Sequence, residues 1–211
     1  MTSPPPRRRR ATRSPTWESP DPPPVPLPIG PAGWIRICRR GGGAMLGLAL
    51  GLVVLLAVRL VEHGVAGGRR VASPQITRMA CRWTLFCLGL SVERRGHAST
   101  GPGAIVANHV SWLDILVLNS IDRVTFVAKA EVATWPGIGL LARATGTVFI
   151  RRERRDAAEQ ARLLADRIAQ GDRLALFPEG TSTDGARVLP FRPALFAALL
   201  PPLAPADLEV Q

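Results

Sequence analysis

The segment Asn108-His109-Val110-Ser111-Trp112-Leu113-Asp114 places a histidine and an aspartate where they can move a proton together. An imidazole exchanges protons near neutral pH. A carboxylate bonded to one ring nitrogen keeps that nitrogen protonated and leaves the other free to accept. Along a straight helix this spacing amounts to about 140° of rotation, so the two side chains would not share a face. The pair therefore needs His109 on a loop and Asp114 in the first turns of the helix that follows.

Two further segments offer groups for an anion. Gly146-Thr147-Val148-Phe149-Ile150-Arg151-Arg152 ends an apolar run in consecutive guanidiniums, which bind phosphate or carboxylate through paired hydrogen bonds. Phe177-Pro178-Glu179-Gly180-Thr181-Ser182-Thr183-Asp184-Gly185 is a turn rich in glycine and hydroxyls, suited to presenting backbone N–H groups to an anion or a developing oxyanion. Taken singly, the first is equally a solvated helix start and the second an ordinary polar loop. The three cysteines, Cys38, Cys81 and Cys87, have no CxxC spacing, so neither a disulfide framework nor a zinc site is expected, in keeping with a reducing compartment.

These loops must be held by regular elements, and the patterning predicts them. Ala104–Ala107, Val124–Ala128, Thr147–Ile150 and Arg173–Phe177 read as short buried strands. Ser111–Leu118 suits a helix start, and Glu131–Ala144 a helix interrupted near Pro136. Asp156–Gln170 is amphipathic through Ala157, Ala161, Leu164 and Ile168, with Gly171 placed to end it. Ala194–Leu200 is expected to be helical, and Leu208–Gln211 resembles the opening of a strand. Alternation of this kind predicts an α/β fold with a mostly parallel sheet flanked by helices. All three polar segments then fall at strand exits, where open α/β sheets place their ligands.

The rest of the chain is different in kind. Of 211 residues and a net charge of +11, the first 40 hold eight arginines against Glu18 and Asp21, and 11 of the 20 prolines lie between Pro4 and Pro31. Proline removes donors and fixes φ, so residues 1–33 are expected to form a disordered, basic tail. The arginines are not interleaved with aromatics on a folded patch, so a nucleic-acid partner is not expected. Gly41–Val58 runs 18 residues without a charge, about 27 Å as a helix, enough to reach across a hydrocarbon core. Arginines flank it on both sides, which a simple span would strand on the wrong face of the membrane. A hairpin dipping into one leaflet, with Trp83–Val92 as its second arm, accommodates both flanks. Residues 34–95 are therefore expected to be membrane-associated helices and 96–211 the catalytic domain.

The order NHxSxxD, GxxFIxR, FPEGT over Gly101 to Phe196 resembles the glycerolipid acyltransferase family, which contains the 1-acylglycerol-3-phosphate acyltransferases. The resemblance implies that His109 is the catalytic base and Asp114 its partner, and that Phe149 and Arg152 belong to a motif whose arginine binds the acceptor's phosphate. It implies that Glu179, Gly180, Thr181 and Ser182 lie on the acceptor side, and it places Lys129 and Gly139 at positions the family often occupies with these residues. The implied partners are a lysolipid acceptor, acyl-CoA or acyl carrier protein as co-substrate, and the cytoplasmic face of the inner membrane; no cofactor or metal is implied.

Two departures bear on this reading. Ser182 stands where members acting on lysophosphatidate usually have arginine, and the EGTSTDG form looks like the branch that acylates lyso-ornithine lipid. The family's fourth motif, a short Val-Pro strand, would begin near Gln211, which predicts a truncated catalytic domain. A catalytically silent membrane protein that binds lipid through the same fold is the alternative of a different class. Other enzyme classes fit less well. Gly180-Thr-Ser182-Thr-Asp184 lacks the last glycine of a serine hydrolase elbow. Gly137-x-Gly139-x-x-Ala142 has no strand before it, unlike a dinucleotide loop.

Overall fold

The computed structural model describes residues 18–21, 25–97, 101–151, 156–205 and 208–211. Helix α1 runs Pro31–Val65, 35 residues, which is about 52 Å at the helical rise. It starts ahead of the apolar run because Pro31 suits a first turn and the arginines that follow are good helix formers. Residues 31–33, expected in the tail, are thus helical, while 1–17 and 22–24 lie outside the described residues. Among the described residues α1 is the one helix long and apolar enough to cross a membrane, with a mean hydropathy of 2.5 over 18 residues and most of that window exposed.

The second arm of the hairpin is longer and begins earlier than Trp83–Val92. Helix α2 is Ser73–Leu88, stopped by Gly89 at φ +76, whose N–H and that of Leu90 close the last turn on Phe86 and Leu85. The two helices meet along Gly43, Gly47 and Gly51 of α1. A Cβ on Gly47 would lie 2.0 Å from the Trp83 ring, and one on Gly51 2.7 Å from Ala80. The glycines that weaken α1 as an isolated helix are therefore what lets α2 approach it, the small-xxx-small packing common between apolar helices. Trp83 donates from Nε1 to the Gly43 carbonyl at 3.1 Å, fixing the register.

The connecting turn is built around Glu62. Its Oε1 accepts the N–H groups of Val71, Ala72 and Ser73 at 2.6–2.8 Å, and its Oε2 pairs with Arg59 at 3.0 Å. A carboxylate here satisfies orphan donors and favours the positive end of α2. The turn is not an apolar tip. Arg70 crosses to Thr125 and Asp172 of the α/β layer, and donates to the Thr145 carbonyl as well.

The α/β part has five strands: β1 Gly103–Val106, β2 Thr125–Lys129, β3 Val148–Ile150, β4 Arg173–Leu176 and β5 Glu209–Val210. All pairings are parallel, in the order β3-β2-β4-β1-β5. Leu208–Gln211, expected to open a strand, does pair: Gln211 donates to Ala104 and accepts from Val106. Gly103 admits this edge, since a Cβ there would lie 2.1 Å from the Glu209 carbonyl.

Helix α3 (Leu113–Ile121) packs Leu118 over Phe126, Val124 and Ala175 on one sheet face, and its Leu116 meets Cys81 and Leu85 of α2. On the other face α5 (Ala157–Ala169) buries Ala161, Leu164 and Ile168 against Leu174 and Leu176, while Ala157 at its start stays exposed. Alternate residues of β4 thus serve opposite faces, as strand geometry requires. Each of these large side chains contributes about 1.5–3 kcal/mol by leaving water. The expected interrupted helix after β2 is a 3-10 turn, Ala130–Thr134, followed by α4, Ile138–Ala144. Pro193–Leu199 corrects the expected last helix: it is a 3-10 segment of seven residues closed off by Pro201-Pro202, and it packs as a short brace against α5.

Candidate active site

Because every strand is parallel, the segments after β1, β2, β3 and β4 emerge along one edge of the sheet. β1 and β4 are neighbours, so the His109 segment and the Phe177–Gly185 segment lie side by side. His109 follows β1 on a loop, and Asp114 sits in the first turn of α3. Their side chains meet: His109 Nδ1 and Asp114 Oδ2 are 2.7 Å apart, each side chain about a quarter exposed at 23% and 24%. Asp114 Oδ2 also accepts the backbone N–H groups of Val110 at 2.7 Å and Ser111 at 3.0 Å. An oxygen already accepting two donors acts as an acceptor for the third, so Nδ1 carries the ring proton and Nε2 holds the lone pair.

The neighbouring loop holds the histidine from three other directions. The Phe177 ring stacks on the imidazole, centroids 4.2 Å apart and planes 19° from parallel. Glu179, only 3% exposed, accepts the His109 backbone N–H at 2.7 Å, and its other oxygen accepts the Leu189 N–H at 2.7 Å. Thr183 donates its backbone N–H to the His109 carbonyl at 2.9 Å. Main chain, side chain and ring face of His109 are thereby all fixed before any ligand arrives, which is how a catalytic group is preorganised.

The other expected site residues among those described lie on this loop and on β3. The Glu179 carboxylate is turned to the backbone of the histidine loop, so it braces that loop. Gly180 is buried at φ +78, Thr181 is partly exposed, and Ser182 is exposed. Of the N–H groups expected to face an oxyanion, that of Gly180 is used by the Phe177 carbonyl and that of Thr183 by His109. Phe149 is on β3, three strand spacings from β1, which is roughly 14 Å. The structure therefore does not bring Phe149 beside His109, and Arg152 lies outside the described residues. Gly139 is a packing glycine: a Cβ there would lie 2.2 Å from the Ala133 carbonyl, which explains the apparent dinucleotide pattern. Phe177 and Glu62 were not singled out from sequence, because a ring stack and a turn brace depend on partners far along the chain.

A family model described as Acyltransferase matches residues 90–205, over half the chain and both loops of the site. The chain belongs to the acyltransferase family. It is 53% identical over 184 residues to a lyso-ornithine lipid O-acyltransferase of Rhodobacter capsulatus, covering 87% of this chain and 66% of that one. It is 36% identical over 114 residues to a 1-acyl-sn-glycerol-3-phosphate acyltransferase of Neisseria gonorrhoeae, covering 54% of this chain and 45% of that one. Among solved structures, the 1-acyl-sn-glycerophosphate acyltransferase of Thermotoga maritima shares the fold at a TM-score of 0.53 and 22% identity, covering 78% of this chain and 70% of that one. The chain spans 66% of the Rhodobacter capsulatus relative and 55% of the Rhizobium meliloti lyso-ornithine lipid O-acyltransferase. The acyltransferase reading of the three motifs is in agreement with these relatives.

Proposed function

We propose that this chain is a membrane-attached O-acyltransferase moving a fatty acyl group from the thioester of acyl-CoA or acyl carrier protein to the hydroxyl of a lysolipid. The observation that carries it is the 2.7 Å contact of His109 Nδ1 with Asp114 Oδ2 on the ligand edge of the sheet. Nε2 removes the acceptor hydroxyl proton as the oxygen attacks the thioester carbonyl. The tetrahedral oxyanion collapses, expelling the thiolate, which takes the proton back from the imidazolium. No covalent enzyme intermediate is needed. The stacked Phe177 ring favours the transient imidazolium through its π face.

For the acceptor, lyso-ornithine lipid is the reading best supported, by the higher identity of relatives so named and by Ser182 in place of a cation. Lysophosphatidate is the second reading, supported by the 36% identical Neisseria gonorrhoeae relative. The test is to incubate membranes holding the chain with labelled acyl-CoA or acyl carrier protein and each lysolipid in turn. Diacylated ornithine lipid alone supports the first reading and phosphatidate alone the second. No product from either acceptor with either donor would leave only the silent lipid-binding alternative.

Attachment to the cytoplasmic leaflet is supported by the layering. α2 lies along the apolar part of α1, and α3 lies on α2, so the α/β layer sits beside the apolar helix. A full perpendicular crossing by Gly41–Val58 would draw polar loops to bilayer depth at prohibitive cost. An α1 that lies within one leaflet avoids this and keeps its flanking arginines on the positive, cytoplasmic side.

A further inference from the structure

At the other edge of the sheet, away from His109, a cavity of about 1220 Å³ opens between the α1–α2 turn and the starts of β1 and β4. Its walls carry the guanidiniums of Arg59, Arg69, Arg70, Arg123, Arg167 and Arg173 against the carboxylates of Asp122 and Asp172 and of Glu62, which pairs with Arg59 from behind the wall, a surplus of three positive charges. Several of these guanidiniums also donate to backbone carbonyls, which orient them. Arg59 donates to Gly68, Arg123 to Arg70, and Arg173 to Gly101. Asp122 offsets Arg173, Asp172 offsets Arg167 and Arg70, and Glu62 behind the wall offsets Arg59, which leaves the guanidiniums of Arg69 and Arg123 without a carboxylate partner among the described residues. The Arg69 side chain makes no hydrogen bond or ion pair among the described residues, and Arg69 and Arg123 are both exposed to the cavity.

Like charges gathered in a partly desolvated space repel, and at Arg70 that repulsion adds to the larger effect of burial. Burial holds its guanidinium below the ordinary value; Asp172 opposes this, but Arg167, Arg123 and Arg59 reinforce it. Such an arrangement is costly unless an anion completes it. Of the glycines of the wall, Gly67 and Gly171 have nothing within 4 Å of a Cβ position and leave that part of the cavity open. Guanidiniums lining one cavity suit phosphate oxygens, which they can bind in pairs, better than a single ammonium would.

We infer that this cavity is a second binding site, for a phosphate-bearing ligand, with Arg69 and Arg123 as its accessible anchors. The phosphate could come from an anionic phospholipid headgroup, given the adjoining apolar α1, or from a soluble phosphate compound. The site is independent of acyl transfer and would stand if that reading failed. The test uses the full chain in neutral detergent micelles. Calorimetric titration with dihexanoyl phosphatidylglycerol reports the headgroup source and with inorganic pyrophosphate the soluble one. At least one probe should bind saturably, and Arg69→Gln with Arg123→Gln should weaken it about tenfold or more. Arg69→Gln alone, which breaks no side-chain hydrogen bond or ion pair among the described residues, should give a smaller loss in the same direction. Arg94→Gln removes an exposed charge outside the cavity and should change nothing. Saturation by phosphatidylglycerol only assigns a headgroup site, by pyrophosphate only a soluble-ligand site, and by both a site for the phosphate group itself. Absence of saturable binding by either probe, or an equal loss in Arg94→Gln, overturns the inference.

Discussion

The buried carboxylate of Glu179 accepts the backbone N–H of His109 at 2.7 Å, so the loop after β4 sets the position of the histidine after β1. Glu179→Gln keeps the shape but turns an amide N–H₂ toward one of two backbone donors, leaving a buried donor unsatisfied at a cost of about 1–3 kcal/mol. We expect kcat to fall about tenfold or more while the acceptor KM moves little, since the change misplaces the base and touches no acceptor group. Steady-state kinetics against acceptor concentration decide the point. A raised KM with unchanged kcat would return Glu179 to the acceptor-binding role implied by the family resemblance.

The His109–Asp114 pair makes a sharper prediction. His109→Ala should lower kcat by roughly 10²–10⁴-fold with the fold intact, the usual contribution of a general base. Asp114→Asn should approach the same loss for a different reason. Val110, Ser111 and Nδ1 all bond the same Oδ2, so an asparagine with its oxygen there still accepts all three but brings no charge to stabilise the imidazolium, while one with its amide nitrogen there loses both backbone donors. Single-turnover rates, with circular dichroism as the check on folding, test both. A loss under tenfold in a folded His109→Ala protein removes that residue as the base.

Much of this site is legible from residue spacing, and the reason is local. Asp114 must lie in a helix's first turn if it is to reach back to His109, and Leu113 does open a helix. The stripe Ala161, Leu164, Ile168 and the stop at Gly171 likewise follow from helical periodicity and from a φ of +90 that only glycine adopts easily. What spacing does not reveal is contact across long separations. The Phe177 stack on His109, the Glu62 brace, and a cavity drawn from arginines between positions 59 and 173 exist only once the layers assemble. Strand order is likewise out of reach of spacing: the order β3-β2-β4-β1 puts Phe149 three strands from the strand that precedes His109.

Glycine packing in the hairpin predicts an asymmetry between two nearly identical substitutions. Gly47→Ala would drive a methyl into the Trp83 ring, 2.0 Å away, and should destabilise the hairpin by about 1–3 kcal/mol, as overpacking does. Gly41→Ala meets nothing within 4 Å and should be neutral or stabilising by up to about 1 kcal/mol, since alanine is the better helix former. Thermal unfolding in micelles, followed by tryptophan emission, compares the two. Equal effects would mean that α2 does not seat on α1 at these glycines.

The last prediction concerns how the hairpin meets the bilayer. Ile29 precedes α1 and Val71 lies in the turn after it, and both are exposed. If α1 lies within one leaflet, Ile29→Cys and Val71→Cys will both react with a membrane-impermeant thiol reagent added from the cytoplasmic side. Exposed Cys38 is replaced in this background, as is Cys87, whereas Cys81 is buried between α2 and α3. The expectation rests on Arg70, which ties the turn to Thr125 and Asp172 and so fixes Val71 on the side of the α/β layer. The position of Ile29 is then the deciding variable. About 52 Å of helix separates the two sites, more than enough to reach the far side of a hydrocarbon core if α1 stood upright. Labelling of Ile29→Cys only from the opposite side would establish a crossing, and with it an α/β layer held clear of the membrane by some rearrangement of α2.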